Sequence, residues 1–292
     1  MRRKGGKANL EYQVHRAVDP AYEIITAMEV TGADVNEAHL MVSLTDSHQE
    51  NTGIRAQTVV ADNKYGTIDN FIACYDRGIK PHMPDLKESQ DDSGSRKGIF
   101  SEQEFIYDKE ADTYRCPAGK ILRPKTLHKE RQSIDYVASK KDCAVCELRA
   151  QCTRNKNGRT LKRHVRQEEL EWMRAIAKSG ESRRDIKTRK HLMERSYARA
   201  KRYGFDRARW RGLWRVKIQQ YITAAIQNIE VLVRYGRDPR KTLAVGMSAE
   251  KIKGNMSIGS ALFMKLLVVL VTAIKIRIRG RKGVISYWTA II

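Results

Sequence analysis

The chain has 292 residues, 41% of them hydrophobic, which is enough to bury a real core and to fill one large domain or two ordinary ones; a disordered chain is excluded. Its 56 Lys and Arg against 34 Asp and Glu leave a formal net charge of +22 and a pI near 9.9, far beyond what solubility requires, so the expected partner is a polyanion, nucleic acid ahead of an anionic membrane surface. Five cysteines, four of them clustered and none preceded by a signal-peptide pattern, point to metal rather than disulfides and to a reducing compartment, the cytoplasm.

After a basic, glycine-rich start over residues 1–9, Leu10, Tyr12 and Val14 alternate with Glu11, Gln13 and His15, the period of a half-buried strand that ends at Asp19-Pro20. The β-branched run from Ile24 to Thr31 predicts its antiparallel partner. From Asp34 the spacing of Val35, Leu40 and Leu44 predicts a helix, with Asp34 as N-cap and Asn51-Thr52-Gly53 as the stop. Thr58 to Ala61 is a short continuous apolar run, the mark of a central strand. Asp62 follows where that strand runs out into the Asn63-Lys64-Tyr65-Gly66 turn. In open α/β sheets, sites lie at the carboxyl ends of strands, which makes Asp62 the best-placed carboxylate of the first half; simple turn chemistry is the competing role. A helix is expected from Thr67 to Arg77, closed by Gly78, and a short strand from Ile79 to Met83.

Residues 85–100 are polar and charged, and mark a boundary. Beyond them come Cys116, the pair Cys143-x-x-Cys146, and Cys152. A C-x-x-C step brings two thiolates to one ion, and two further cysteines complete the tetrahedral set that zinc favours, with reduced structural cysteines as the alternative. His128 and His164 are possible substitutes for one ligand, and Cys74 belongs to an apolar helix face. The stretch from Arg166 to Lys178 has helical composition. From Glu181 to Lys217 there are 14 Lys or Arg against 4 Asp or Glu, interleaved with Tyr197, Tyr203, Phe205, Trp210 and Trp214. Cations there can neutralise phosphates while the rings pack a core or stack on bases. Within this segment a 3.6-residue period puts Lys190, Glu194, Tyr197 and Lys201 on one helix face, a carboxylate held among cations; a solvated ion-paired face is the plainer reading. A last strong helix runs from Leu213 to about Tyr235, with Ile218, Ile222, Ala225, Ile229 and Val233 on a stripe expected to pack on the sheet. Residues 258–276 approach membrane-spanning length, but Lys265 interrupts them, and an added packing helix or a loosely constrained tail is preferred.

Taken in order, the strand ending in aspartate (VVADNKYG), the cysteine-bearing stretch (YRCPAGKIL through CAVCELRAQC) and the glutamate helix with a lysine seven residues on (KHLMERSYARAK, then RARWRGL) resemble the insertion-sequence transposases of the DDE superfamily over roughly residues 10 to 235. The resemblance implies an α/β, ribonuclease-H-like mixed sheet with flanking helices. Its core would comprise residues 1–84 and 176–236, interrupted at 85–175 by the linker and a cysteine-rich zinc-binding insert, with 237–292 as a tail. It also implies three carboxylates holding two Mg²⁺ or Mn²⁺ ions that cut and rejoin DNA strands at insertion-sequence ends. Asp62 would match the second aspartate, Glu194 the glutamate and Lys201 the lysine that grips DNA; Lys190 stands where the family often has arginine. Arg195, Arg207, Arg209 and Arg211 are expected on the phosphate backbone. Cys116, Cys143, Cys146 and Cys152 would hold structural Zn²⁺.

The family's first aspartate has no counterpart here. Asp19 is the nearest, and it matches a segment not associated with metal. The expectation is therefore a truncated copy, acting on DNA in the cytoplasm at the bacterial nucleoid as a homodimer, with no membrane contact and with a sheet edge left open beside the first strand. A non-catalytic, zinc-bearing nucleic-acid-binding protein is the alternative.

Overall fold

The computed structural model describes residues 11–91, 97–236 and 289–291. The chain divides into two units, one of residues 1–84 with 176–292, the other of residues 85–175.

The first unit opens with strands β1 (Tyr12–Val18) and β2 (Ile25–Gly32), antiparallel in a register that sets Tyr12 opposite Gly32. The Asp19 carboxylate accepts from the Tyr22 amide (2.8 Å) and so holds the turn between them. A 3₁₀ turn at Glu37–Leu40 leads into α1 (Met41–Thr52), which ends on Gly53 at φ 69°, a conformation that glycine adopts without strain. The cap at this helical entry is Asn36, whose side chain accepts from the Ala38 amide, and not Asp34, because the chain turns two residues later than the apolar spacing suggests. Strand β3 (Thr58–Val60) is buried along its whole length, as its apolar run requires. Helix α2 (Ile68–Arg77) is capped by Thr67 and closed by Gly78, and β4 (Lys80–His82) lies parallel to β3.

The second unit begins with α3 (Leu86–Asp91). Strands β5 (Ile106–Asp108), β6 (Thr113–Arg115), β7 (Ile121–His128), β8 (Ser133–Ala138) and β9 (Thr160–His164) then form an antiparallel sheet in which each strand pairs with the next. Helices α4 (Lys140–Ala144) and α5 (Arg149–Cys152) interrupt the meander between β8 and β9. Phe105, Leu122, Tyr136, Ala138, Cys152 and Leu161 make a core of the unit's own. The polar composition of this stretch suggests a segment that needs a metal to hold together. It has instead spent its few large apolar residues on a single sheet face.

Helix α6 (Gln167–Ala177) precedes α7 (Gly180–Lys201), capped by Ser179, and α8 (Leu213–Gly236). The last strand, β10 (Thr289–Ile291), lies between β1 and β3, antiparallel to the first and parallel to the second, giving the mixed order β2-β1-β10-β3-β4. The edge expected beside β1 is thus filled. Helix α8 also corrects an expectation. Ala225 of its apolar stripe is buried (2% exposed), but Ile222, Ile229 and Val233 are exposed (42%, 46% and 49%), whereas Gln220, Thr223, Gln227 and Asn228 are buried. The buried face, shared with Val216, Ala224, Ala225 and Val231, carries polar residues because it serves backbone and a buried cation: Asn228 bonds both the amide and the carbonyl of Ile25, Gln220 donates to the Phe205 carbonyl, and Gln227 accepts from Arg16. Of the described helices, none is long and apolar enough to cross a membrane, and residues 258–276 lie outside the described residues.

Candidate active site

A cavity of about 950 Å³ in the first unit is lined by β1, by the turn after β3, and by α7 with the loop that follows it. Asp62 enters from the end of β3. Its Oδ1 accepts from the Lys64 amide (3.0 Å), the turn role that an aspartate takes at a strand end, and its Oδ2 stands 3.6 Å from Arg189. From α7 come Arg189, Lys190, Glu194, Tyr197 and Lys201, so the helical period of this segment does carry Lys190, Glu194, Tyr197 and Lys201 to one wall. Tyr197 fixes that face by donating to the Val14 carbonyl (3.0 Å).

The cavity therefore gathers five acidic residues, Glu11, Glu37, Asp62, Glu194 and Asp206, and several cations from segments far apart in sequence. It also holds residues that the sequence reading passed over. Glu37, on the 3₁₀ turn, lines the cavity and pairs with Lys64, which raises the Lys64 pKa. The signal available for it was weak: an acidic residue just after an Asn cap. Arg16 lies beneath, 1% exposed, its Nη1 donating to Ser196 Oγ (3.1 Å) and Gln227 Oε1 (3.2 Å), its guanidinium over the rings of Tyr197 (4.5 Å) and Phe205 (4.8 Å). Among the described residues no acidic side chain pairs with it, and burial pulls its pKa down to about 10. His15 bonds Thr31 Oγ1 (3.1 Å), and desolvation lowers its pKa.

Other expected residues stand elsewhere. Arg195 reaches Glu23 (2.7 Å) and does not line the cavity; neither do Arg207, Arg209 and Arg211, which are exposed on the loop after α7. Asp19, 4% exposed, is a turn residue whose pKa is raised by burial. Of the aromatic residues, Tyr197 and Phe205 pack 5.2 Å apart, while Trp210 and Trp214 are open to solvent.

In the second unit, Cys116, Cys143, Cys146 and Cys152 line one cavity of about 20 Å³. Cys116 heads a tight turn in which the Gly119 amide donates to the Cys116 carbonyl (2.8 Å) and the Lys120 amide donates to its sulfur (3.3 Å). Burial raises the Cys152 pKa. Yet among the described residues no three His, Cys, Asp or Glu side chains are arranged to hold one metal ion, at the cysteines or at the Asp62 cavity. The substitutes fall away as well: His128 bonds Asp135 (3.0 Å), and His164 accepts from the Arg166 amide (3.1 Å). Cys74 is core, its pKa pushed up to about 12 by burial.

Residues 115–233 match the model of a protein family described as the transposase DDE domain. The matched span includes Glu194, Lys190, Lys201 and all four clustered cysteines, but not Asp62. The chain has no significant match among curated proteins and none among solved structures.

Proposed function

We propose, from the match of residues 115–233 to the model of the transposase DDE domain, that the chain is part of a DNA transposase in which Asp62 and Glu194 are metal ligands and Lys190 and Lys201 hold the DNA backbone. One observation carries the reading: Asp62, outside the matched span, lines the same cavity as the three α7 residues within it. Under this reading the first unit is a ribonuclease-H-like core interrupted by the second. Divalent Mg²⁺ or Mn²⁺, when bound, would activate a water or a 3′-hydroxyl at the scissile phosphodiester and stabilise the leaving oxygen.

The residues fit that role in part. Asp62 is turned to Arg189, a cation standing where a metal's charge would fall, and Glu37 is tied to Lys64. Glu11, Glu37 and Asp206 also line the cavity, but none stands in the motifs that carry the resemblance, so with Asp62 and Glu194 as the two ligands a pair of divalent ions would lack protein charge and strand cleavage by this chain should be slow. Lys190, Lys201 and Lys64 would neutralise phosphates, and Arg189 would exchange its aspartate for one when metal takes the carboxylate. The protein would act as a homodimer on transposon ends, at the bacterial nucleoid.

The second unit supports a separate part of the reading, a structural zinc held by its four cysteines, which would require the thiols to close on one point. Elemental analysis should find one zinc per chain, and Cys146→Ser should release it while β1 and β2 stay folded. Zinc-free protein with an intact second unit would sink this part.

Metal binding tests the main reading without relying on turnover. Mn²⁺ titration followed by electron paramagnetic resonance should show binding that Asp62→Asn and Glu194→Gln each abolish. Equal binding in parent and variants, together with undiminished DNA affinity, would favour the non-catalytic nucleic-acid-binding protein.

A further inference from the structure

Arg207, Arg209, Arg211, Trp210 and Trp214 do not line the cavity, and the proposed chemistry uses none of them. They belong to one continuous exposed stretch, residues 206–215, which joins the end of the loop after α7 to the first turn of α8. Its backbone is nevertheless fixed. Gln219, 6% exposed, donates to the carbonyls of Gly204 (3.0 Å) and Arg207 (2.9 Å) and accepts from the Arg209 amide (3.0 Å), while the Gly212 amide donates to the Tyr12 hydroxyl (3.1 Å). Helix α8 and strand β1 thus anchor a loop whose outward side chains are open.

Those side chains are of two kinds. Trp210 and Trp214 are 48% and 62% exposed, unusual for a ring that is buried on average. Arg207, Arg209, Arg211 and Arg215 alternate with them in sequence, and among the described residues no carboxylate pairs with any of the four, whereas Arg195 and Arg199 are both held by Glu23. The Arg215 guanidinium lies over the Trp214 ring (5.0 Å), a contact that braces one face of an indole otherwise mostly open to solvent.

We propose that residues 207–215 bind a DNA strand through its unpaired bases, with Trp210 and Trp214 stacking on the bases and the four arginines taking the phosphates between them. In a duplex the face of each base is covered by its neighbours, so an indole gains a stacking partner only where bases are unpaired. Cations alone would not make that distinction. A backbone already fixed by Gln219 and Tyr12 lowers the ordering cost of binding. Phe205, Asp206 and Ala208 of the same loop do line the cavity, so the stretch forms part of its rim, and a strand held by the cavity lysines can continue onto it. That the strand is DNA rests on the proposed function; the stacking does not depend on metal at Asp62. An anionic membrane surface also attracts tryptophan and arginine. Here, however, Trp210, Leu213 and Trp214 are interleaved with arginines on a pinned backbone, which suits alternating bases and phosphates better than insertion of an apolar edge.

Fluorescence anisotropy on the full chain tests the proposal, with labelled oligothymidylate compared against a hairpin duplex of equal length at the same salt. Trp210→Ala and Trp214→Ala should each weaken single-strand binding roughly tenfold and duplex binding less than about twofold. Trp214→Phe should recover most of the loss, because any aromatic ring can stack, and unchanged amide exchange in β1 and β2 is the control for folding. Arg207→Ala/Arg211→Ala should instead weaken both ligands and lower the salt slope by about one for each arginine. Equal losses on single strand and duplex in the tryptophan variants would overturn the proposal, as would unchanged binding to both. Tryptophan-dependent binding to anionic phospholipid vesicles, with none to oligothymidylate, would assign the loop to a membrane surface instead. A chain that binds duplex without any dependence on the tryptophans fails this inference alone, whereas a chain that binds no DNA fails the proposed function with it.

Discussion

The two units solve the problem of core building in opposite ways. In residues 85–175 every strand of the sheet pairs with the strand next to it in sequence, and the core is apolar and aromatic, with Tyr114 packed edge-on to Tyr136 (5.0 Å). In the other unit β1 lies between β2 and β10, strands from the two ends of the described chain, and beside an apolar cluster of Val18, Ile25, Met28 and Leu192 the interior holds Arg16, His15, His48 and His82. Local pairing costs little loop entropy and lets apolar burial alone supply stability. The unit with non-local pairing keeps buried polar groups, which are costly to strand and which tie α7 and α8 to the sheet by bonds that only one arrangement satisfies. It is also the unit with the larger charged cavity, about 950 Å³ against about 340 Å³ for the one that Lys109, Asp112, Arg163 and Glu168 line in the second unit. A site needs convergent polar groups from distant segments, and this kind of core holds them.

The comparison breaks most sharply under Leu122→Ala. That side chain is fully buried in the second unit, so the change should cost about 2–5 kcal/mol. Exchange protection should be lost across β7 and β8 while β1 and β2 keep theirs; equal loss in both would mean that the units unfold as one.

Gln227→Leu should act on the other unit. It removes an acceptor from the buried Arg16 guanidinium and a donor to the Ser196 carbonyl, at a cost of about 1–3 kcal/mol. Urea unfolding followed at the exposed tryptophans of the α7–α8 region should show the lower midpoint, and an unchanged midpoint would remove Arg16 from the list of groups that hold this core.

Acid should separate the units by a smaller step. Burial lowers the pKa of His15 and His48 below the ordinary 6.5, so both stay neutral in the folded state at pH values where the unfolded chain takes up protons. Their contribution is complete above pH 6.5 and is lost as pH falls below it, by up to about 1.4 kcal/mol per pH unit and group. Asp19 works the other way, since its raised carboxyl gains from protonation at lower pH. Replacing His48 by Gln should flatten the decline between pH 6.5 and 5 for the first unit and leave the second unchanged.

The finest test concerns the cavity. Lys190→Ala and Lys201→Ala should each weaken duplex DNA binding severalfold and lower the slope of log affinity against log salt by about one, without strong sequence preference. Arg195→Ala should do less, because Arg195 is engaged by Glu23. Equal effects of all three would spread the DNA contact beyond the cavity.

Much of the fold was legible in the residues. Gly53 and Gly78 end helices at positive φ, Thr67 caps α2, and the Thr58–Val60 run is a buried strand, because each depends on local backbone chemistry or on burial from both faces. The periodicity of α7 also put Lys190, Glu194, Tyr197 and Lys201 on one wall, since side-chain direction on a helix follows from spacing alone. Three things were decided only by tertiary structure. Apolar spacing assigned Ile222, Ile229 and Val233 to the buried face of α8 together with Ala225, but the groups to be met there include a guanidinium and free backbone amides, so glutamine and asparagine share the interior with Ala225 while the three larger residues face out. Glu37 and Arg16 reached the cavity through long-range packing, for which a local pattern has no mark. Finally, a three-residue strand from the far end of the chain joined β1 to β3, because backbone donors and acceptors in a sheet's interior must be paired by whatever segment can reach them.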